Sequence, residues 1–137
     1  MLPIIVINND CSLVSHDDLR DLYSSLGYDS DEETITQLQK AIAGSKYVWL
    51  AWDNTKLVGF CAAVGDTQTC MVNYLVVDKD HQLQGIGSEL FKSLCYNAVE
   101  DKYLVMTNGN HMRFFAKNNF SMRNVTIMKY DRRDSSE

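Results

Sequence analysis

A chain of 137 residues, 45% hydrophobic and 10% aromatic, suits one domain with one packed core, so wholesale disorder is not expected. The net charge of −5 sits in residues 1–45, where eight acids stand against two bases, while the remainder holds ten acids and eleven bases. An acidic face of this kind disfavours nucleic acid, whose binding needs basic surface, and suits a cationic partner instead. No apolar run reaches the length of a membrane span, so no membrane partner is expected. Residues 1–10 lack the basic start and long apolar stretch of a signal peptide. The cysteines Cys11, Cys61, Cys70 and Cys95 show neither C-x-x-C spacing nor neighbouring histidine pairs. The expectation is therefore a reduced, cytoplasmic protein with no metal site, in which Cys61 and Cys95 pack as small hydrophobes.

In chain order, Leu2 to Ile7 is a β-branched run that reads as a first strand, with Pro3 near its start, where a sheet tolerates proline. Ser15 offers a helix N-cap, Asp17 and Asp18 suit the first turn, and Leu19, Leu22, Tyr23 and Leu26 follow at helical spacing up to Gly27. Ser30-x-x-Glu33 predicts a capping box opening a second helix through Ile35, Leu38 and Ile42, ending at Gly44. From Lys46 the period changes to two. Tyr47 to Trp52, Leu57 to Val64 and a stretch from about Thr69 to Val77 read as three strands joined by short turns, hence an antiparallel meander.

The third of these strands feeds a polar loop, Asp78 to Gln84, and then Gly85-Ile86-Gly87. A helix follows with Ile86, Leu90, Leu94 and Cys95 on one face. A strand, a turn stripped of side chains and a helix N-terminus together aim backbone N–H groups at one point, which suits phosphate. No Lys-Ser/Thr follows the glycines, as a P-loop needs, and no further glycine comes three residues on, as a dinucleotide fingerprint needs. Tyr103 to Met106 then reads as a strand, His111 to Lys117 as a short helix, and Val125 to Tyr130 as a last strand. Residues 1–131 make one expected domain and 132–137 a polar tail. The expected class is α/β: a central mixed sheet with helices on both faces, in which strand–helix–strand forms a parallel crossover. The last strand offers an edge for pairing, so monomer and homodimer both remain open.

The spacing Gln82-x-x-Gly85-x-Gly87 after a hydrophobic strand resembles the acetyl-CoA diphosphate loop of the GNAT N-acetyltransferase superfamily. Leu22 to Tyr28 also looks like the opening helix of small members of that family. A second family signature, near Asn-x-x-Ala-x-x-Phe-Tyr-x-Lys-x-Gly-Phe, is matched by Asn108, Phe114, Lys117 and Phe120, with His111 at the alanine and Asn119 at the glycine position. Asn is the residue after Gly that best tolerates a left-handed helix cap. The resemblance implies a fold whose parallel strands splay around acetyl-CoA. Backbone groups of Leu75, Val76 and Val77 would pair with pantetheine. Amides of Leu83, Gln84, Gly85, Ile86, Gly87 and Ser88 would hold the diphosphate with help from Gln82. Asn108, Phe114 and Lys117 would flank the thioester and pantetheine.

The reaction so implied is attack of a neutral amine on the thioester carbonyl, with departure of the thiolate. A backbone N–H near Val76 or Val77 can serve the oxyanion. Two positions depart from the family. The strand positions that often hold an acidic base are Asn73 and Tyr74, and the tyrosine that protonates the thiolate is replaced by Phe115. His111, four residues before Phe115, and Tyr74 are the candidate proton donors, and Asp66 and the acidic helices the candidate bases. Trp49 and Trp52 read as core. A GNAT-fold module that binds acyl-CoA without efficient catalysis is the alternative.

Overall fold

The computed structural model describes residues 4–107 and 111–134. The chain falls into two compact units, residues 1–106 and residues 107–137.

In the first unit, five strands lie in the order β1 (Ile5–Asn8), β2 (Tyr47–Asp53), β3 (Lys56–Gly65), β4 (Thr69–Val77) and β5 (Lys102–Val105). The first four pair antiparallel with their neighbours and β5 runs parallel to β4, which is the expected mixed sheet. Helices α1 (His16–Ser25) and α2 (Glu32–Ala43) precede the meander, and α3 (Ile86–Asn97) crosses from β4 to β5.

The sheet is covered on both faces. Leu19 and Leu22 of α1 and Ile35, Leu38 and Ile42 of α2 share a core with Val48, Leu50, Trp52, Leu57, Phe60 and Ala62. On the opposite face, α3 buries Ile86, Leu90, Phe91 and Leu94, while Cys95 is only half-buried. At Gly59 both α3 and β4 come close to β3. A Cβ there would stand 2.8 Å from the Val76 carbonyl oxygen and 3.4 Å from Leu90. Cys61 and Cys70 are buried in the sheet, and burial pushes the Cys61 thiol up to about 12.

Local signals fixed most helix ends. Ser15 caps α1 and Asp18 returns the bond, a full capping box. Gly27 and Tyr28 close the same helix by donating to Ser24 and Tyr23 carbonyls, with the Tyr23 and Tyr28 rings in edge contact at 5.3 Å. The α2 cap is a correction. Asp31, not Ser30, accepts from the Thr34 N–H at 2.8 Å. Either cap leaves Ile35, Leu38 and Ile42 buried, but the aspartate adds a negative charge to the positive end of the helix. Ser30 instead accepts a bond from the Ser24 hydroxyl.

In the second unit, α4 (Met112–Lys117) is preceded by His111 and closed by a Schellman motif. Phe120 N–H donates to the Phe115 carbonyl and Asn119 N–H to Ala116, with Asn119 left-handed at φ 73°. Phe115 is buried, its ring in edge contact with those of Phe114 and Phe120. The expected strand at Val125–Tyr130 is absent, because its alternation meets no partner ladder. Val125, Ile127, Met128 and Tyr130 are all largely exposed. The edge on which strand pairing between copies was expected is therefore not formed. Arg132–Asp134 makes a 3-10 turn. Residues 1–3, including Pro3, lie outside the described residues.

Candidate active site

The site is built where β4 outruns β5. Parallel pairing covers only Thr69–Val72 against Lys102–Val105, so the flank of β4 from Asn73 to Val77 has no strand beside it among the described residues. Burial records the change: Cys70 and Val72 are buried, whereas Tyr74, Leu75, Val76 and Val77 are all half-exposed. On its other side β4 stays paired to β3 through Val77 opposite Gly59.

A bulge marks the point of departure. Ala62 faces Tyr74 and Ala63 faces Val72, which leaves Asn73 as an extra residue on β4. Two residues apart on a regular strand, Val72 and Tyr74 would share a face. The bulge separates them, and Tyr74 and Val76 pack against the α1–α2 core, with Tyr74 5.9 Å from the Phe60 ring. Asn73 itself is exposed.

Beyond Val77 the chain turns sharply. Asp78 N–H donates to the Val58 carbonyl at 2.7 Å, a 3-10 turn spans Lys79–His81, and Leu83 and Gly85 both adopt left-handed backbone, at φ 63° and 85°. Gly85 is the N-cap of α3 and no side chain caps this helix end. A Cβ at Gly85 would meet nothing within 4 Å, so the space before the helix is open. Glu89 makes the first helical backbone bond, to Gly85. Ser88, the residue before it, is half-buried, and Leu83 is fully exposed. The Gln82 side chain folds back, its amide donating to the Val77 carbonyl at 3.0 Å, and Gln84 reaches the Asp80 carbonyl at 3.4 Å.

A charge cluster unseen in the sequence holds this loop. His81 Nδ1 lies 2.8 Å from Asp78 Oδ2, and its Nε2 lies 3.0 Å from Asp53 Oδ2 at the end of β2. Asp78 is buried and also faces the Lys56 ammonium at 3.8 Å. Burial alone would raise the Asp78 carboxyl and lower the His81 imidazole. The bonds between them outweigh it, so Asp78 stays below its ordinary value and His81 above its own. The i,i+3 pairing of Asp78 with His81 was readable from spacing, but the partnership with Asp53 was not.

Of the remaining candidates, Asp66 is committed elsewhere. Its Oδ1 accepts from the Thr69 and Gln68 N–H groups, which hold its carboxyl below the usual range, a poor setting for a base. His111 is exposed at the start of α4, Phe114 is half-buried and Lys117 is exposed. Asn108 lies outside the described residues. Trp52 is buried in the core and Trp49 half-buried on the same strand.

Residues 44–122 match the acetyltransferase (GNAT) domain family. The chain belongs to this family. A GNAT family acetyltransferase from Streptococcus pneumoniae TIGR4 superposes with a TM-score of 0.75 at 25% identity, covering 94% of this chain and 99% of its own. Glucosamine-6-phosphate N-acetyltransferase from Arabidopsis thaliana gives 0.69 at 14% identity, with 93% and 98% covered. An aminoglycoside N-acetyltransferase in complex with CoA gives 0.73 at 11% identity, with 96% and 97% covered. At those last two identities the likeness is one of fold. No curated protein sequence matches significantly. Among the described residues no group of three or more His, Cys, Asp or Glu is arranged to hold a metal, and no helix is long and apolar enough to cross a membrane.

Proposed function

We propose that this GNAT protein is an N-acetyltransferase that uses acetyl-CoA to acetylate a primary amine on a small molecule or peptide. The observation that carries the reading is the flank of β4 that has no strand beside it among the described residues, running directly into a turn with no side-chain cap and open space before Gly85. On this flank Leu75 and Val77 turn their backbone groups away from β3 and offer them to an extended amide-bearing arm as an added strand would, while Val76 between them stays paired to Phe60. The turn from Leu83 to Ser88 offers N–H groups and a helix dipole to a diphosphate. Gln82 shapes that turn through its bond to Val77. Asn108, Phe114 and Lys117 are assigned to the cofactor side by the family motif alone.

Acetyl-CoA would supply the activated acyl group. The amine nitrogen bonds to the carbonyl carbon, the carbon–sulfur bond breaks, and the amine's extra proton and the thiolate are the two charges the chain must manage. The Val77 N–H, on the side of β4 turned away from β3, serves the oxyanion. Tyr74, beside the open flank, is the proton donor we favour, with His111 as its rival and Phe115 unable to act. The acidic first third suits a cationic acceptor. Four free thiols fit a cytoplasmic protein. Residues 1–131 read as one acetyltransferase domain followed by the tail, since the family match crosses both compact units.

Calorimetry with acetyl-CoA tests the binding, and thiol release across an amine panel tests the transfer. Saturable binding with turnover is expected. Absence of acetyl-CoA binding overturns the proposal. The absence of a free carboxylate on the exposed half of β4, where Asn73 and Tyr74 stand, favours a second reading. In it the protein is an acyl-CoA-binding module, and binding without turnover on any amine would select it.

A further inference from the structure

The charge cluster around His81 has a job that neither the fold nor the acetyl-transfer reading assigns. Both ring nitrogens face carboxylate oxygens, Nδ1 to Asp78 and Nε2 to Asp53. Only the imidazolium can donate on both sides, because a neutral ring keeps one N–H and turns a lone pair toward the other carboxylate. The side chain is 11% exposed and that of Asp78 is 1% exposed, so water does little to soften a mismatch. With His81 charged, two carboxylates are balanced by His81 and Lys56. With it neutral, one negative charge is left without balance.

The groups around it come from four elements. Asp78 and the Asp80 N–H belong to its own turn, with Asp80 N–H also bonding Asp78 Oδ2. Asp53 ends β2, Lys56 opens β3, and the Ser25 hydroxyl of α1 helps hold Asp78 in its charged form. The cluster thus ties the β2–β3 turn to the start of the glycine-rich loop. Two residues beyond His81, Leu83 sits in left-handed backbone, which is strained for a non-glycine residue. That conformation persists only if its neighbours fix it.

We propose that charged His81 is a positioning residue that fastens the glycine-rich loop to the β2–β3 turn, so that affinity for a diphosphate ligand of the CoA type falls when the imidazole loses its proton. The inference rests on the reading that this loop holds the CoA diphosphate. A fastened loop presents its amides in one arrangement, whereas a loosened one must first be ordered, and that cost comes out of the affinity. The sign follows from the geometry. Affinity is full while the ring is charged and declines as pH rises past its folded-state value, which lies above the ordinary 6.5.

The test uses dephospho-CoA, which keeps the diphosphate but lacks the phosphomonoester whose own ionisation falls in the same range. Its affinity for the full chain is measured by calorimetry between about pH 5.5 and about pH 9, the span that brackets histidine. The wild-type dissociation constant is expected to be level at the acid end and to rise about tenfold through a step above the ordinary histidine value. His81→Gln should bind about tenfold more weakly at acid pH and show no step. Asp53→Asn, which removes one of the two carboxylates, should move the step to lower pH, and it decides the matter if His81→Gln does not fold. A wild-type profile without a step, or a step retained in His81→Gln, overturns the inference while leaving the CoA reading intact. No binding of dephospho-CoA or acetyl-CoA at any pH overturns the CoA reading itself.

Discussion

Val72 is the last residue of β4 to face β5, and its partner there is Val105. The next residue, Asn73, is the bulge, and from that point one side of β4 has no strand beside it among the described residues. If an extended ligand completes this edge, amide exchange should report it. The amides of Leu75 and Val77 should exchange at least about tenfold more slowly with saturating acetyl-CoA, an effect of about 1.4 kcal/mol, while the amides up to Val72 change little. Exchange by mass spectrometry or NMR resolves the two stretches. Equal protection along all of β4 would count against a ligand on the open flank.

Gly85 separates backbone conformation from crowding, since its φ of 85° favours glycine while open space would accept a Cβ. Gly85→Ala should therefore cost about 1–2 kcal/mol of stability from backbone strain alone. It should also weaken acetyl-CoA binding by about tenfold, because the amides next to it would be re-aimed. Urea unfolding and calorimetry on the same sample give both values.

At Gly59 the reverse holds. A methyl group would press on the Val76 carbonyl, which is backbone and cannot swing aside. Gly59→Ala should lower the urea midpoint by an amount equivalent to about 1–3 kcal/mol, the usual range for overpacking.

Glu100 supplies a pH dependence of the opposite sign to that of His81. Its carboxylate bonds the Lys46 ammonium and the Tyr47 hydroxyl at 2.7 Å each and the Thr67 N–H at 3.0 Å. Led by the bond from Lys46, these hold it at about 2, against an ordinary 4.5. A lowered acid stabilises the fold above its ordinary value and loses that contribution as pH falls toward the folded one. The melting temperature of wild type should drop on acidification through that window. Glu100→Gln should start lower at neutral pH and drop less.

For catalysis, Tyr74→Phe should lower kcat by about 10²-fold or more, within the range typical of a lost general acid, with KM for acetyl-CoA little changed. A kcat at wild-type level would remove Tyr74 from the chemistry and pass the role to His111, for which His111→Gln is the matching assay.

Much of this protein was legible in its sequence because the forces concerned act over a few residues. Helical spacing placed Leu19, Leu22, Ile35, Leu38 and Ile42 in the core, alternation placed the meander, and Asn119 in a glycine position announced a left-handed cap. Gly85 marked the turn before α3 for the same reason: backbone conformation is a local property. Tertiary structure decided what depends on register and distance. His81 meets Asp53 across 28 residues and Lys46 meets Glu100 across 54, pairings that spacing alone does not encode. One bulged residue, Asn73, moved Tyr74 to the other face of the sheet. Val125–Tyr130 has the alternation of a strand and forms none, since a strand exists only where a neighbour takes up its hydrogen bonds.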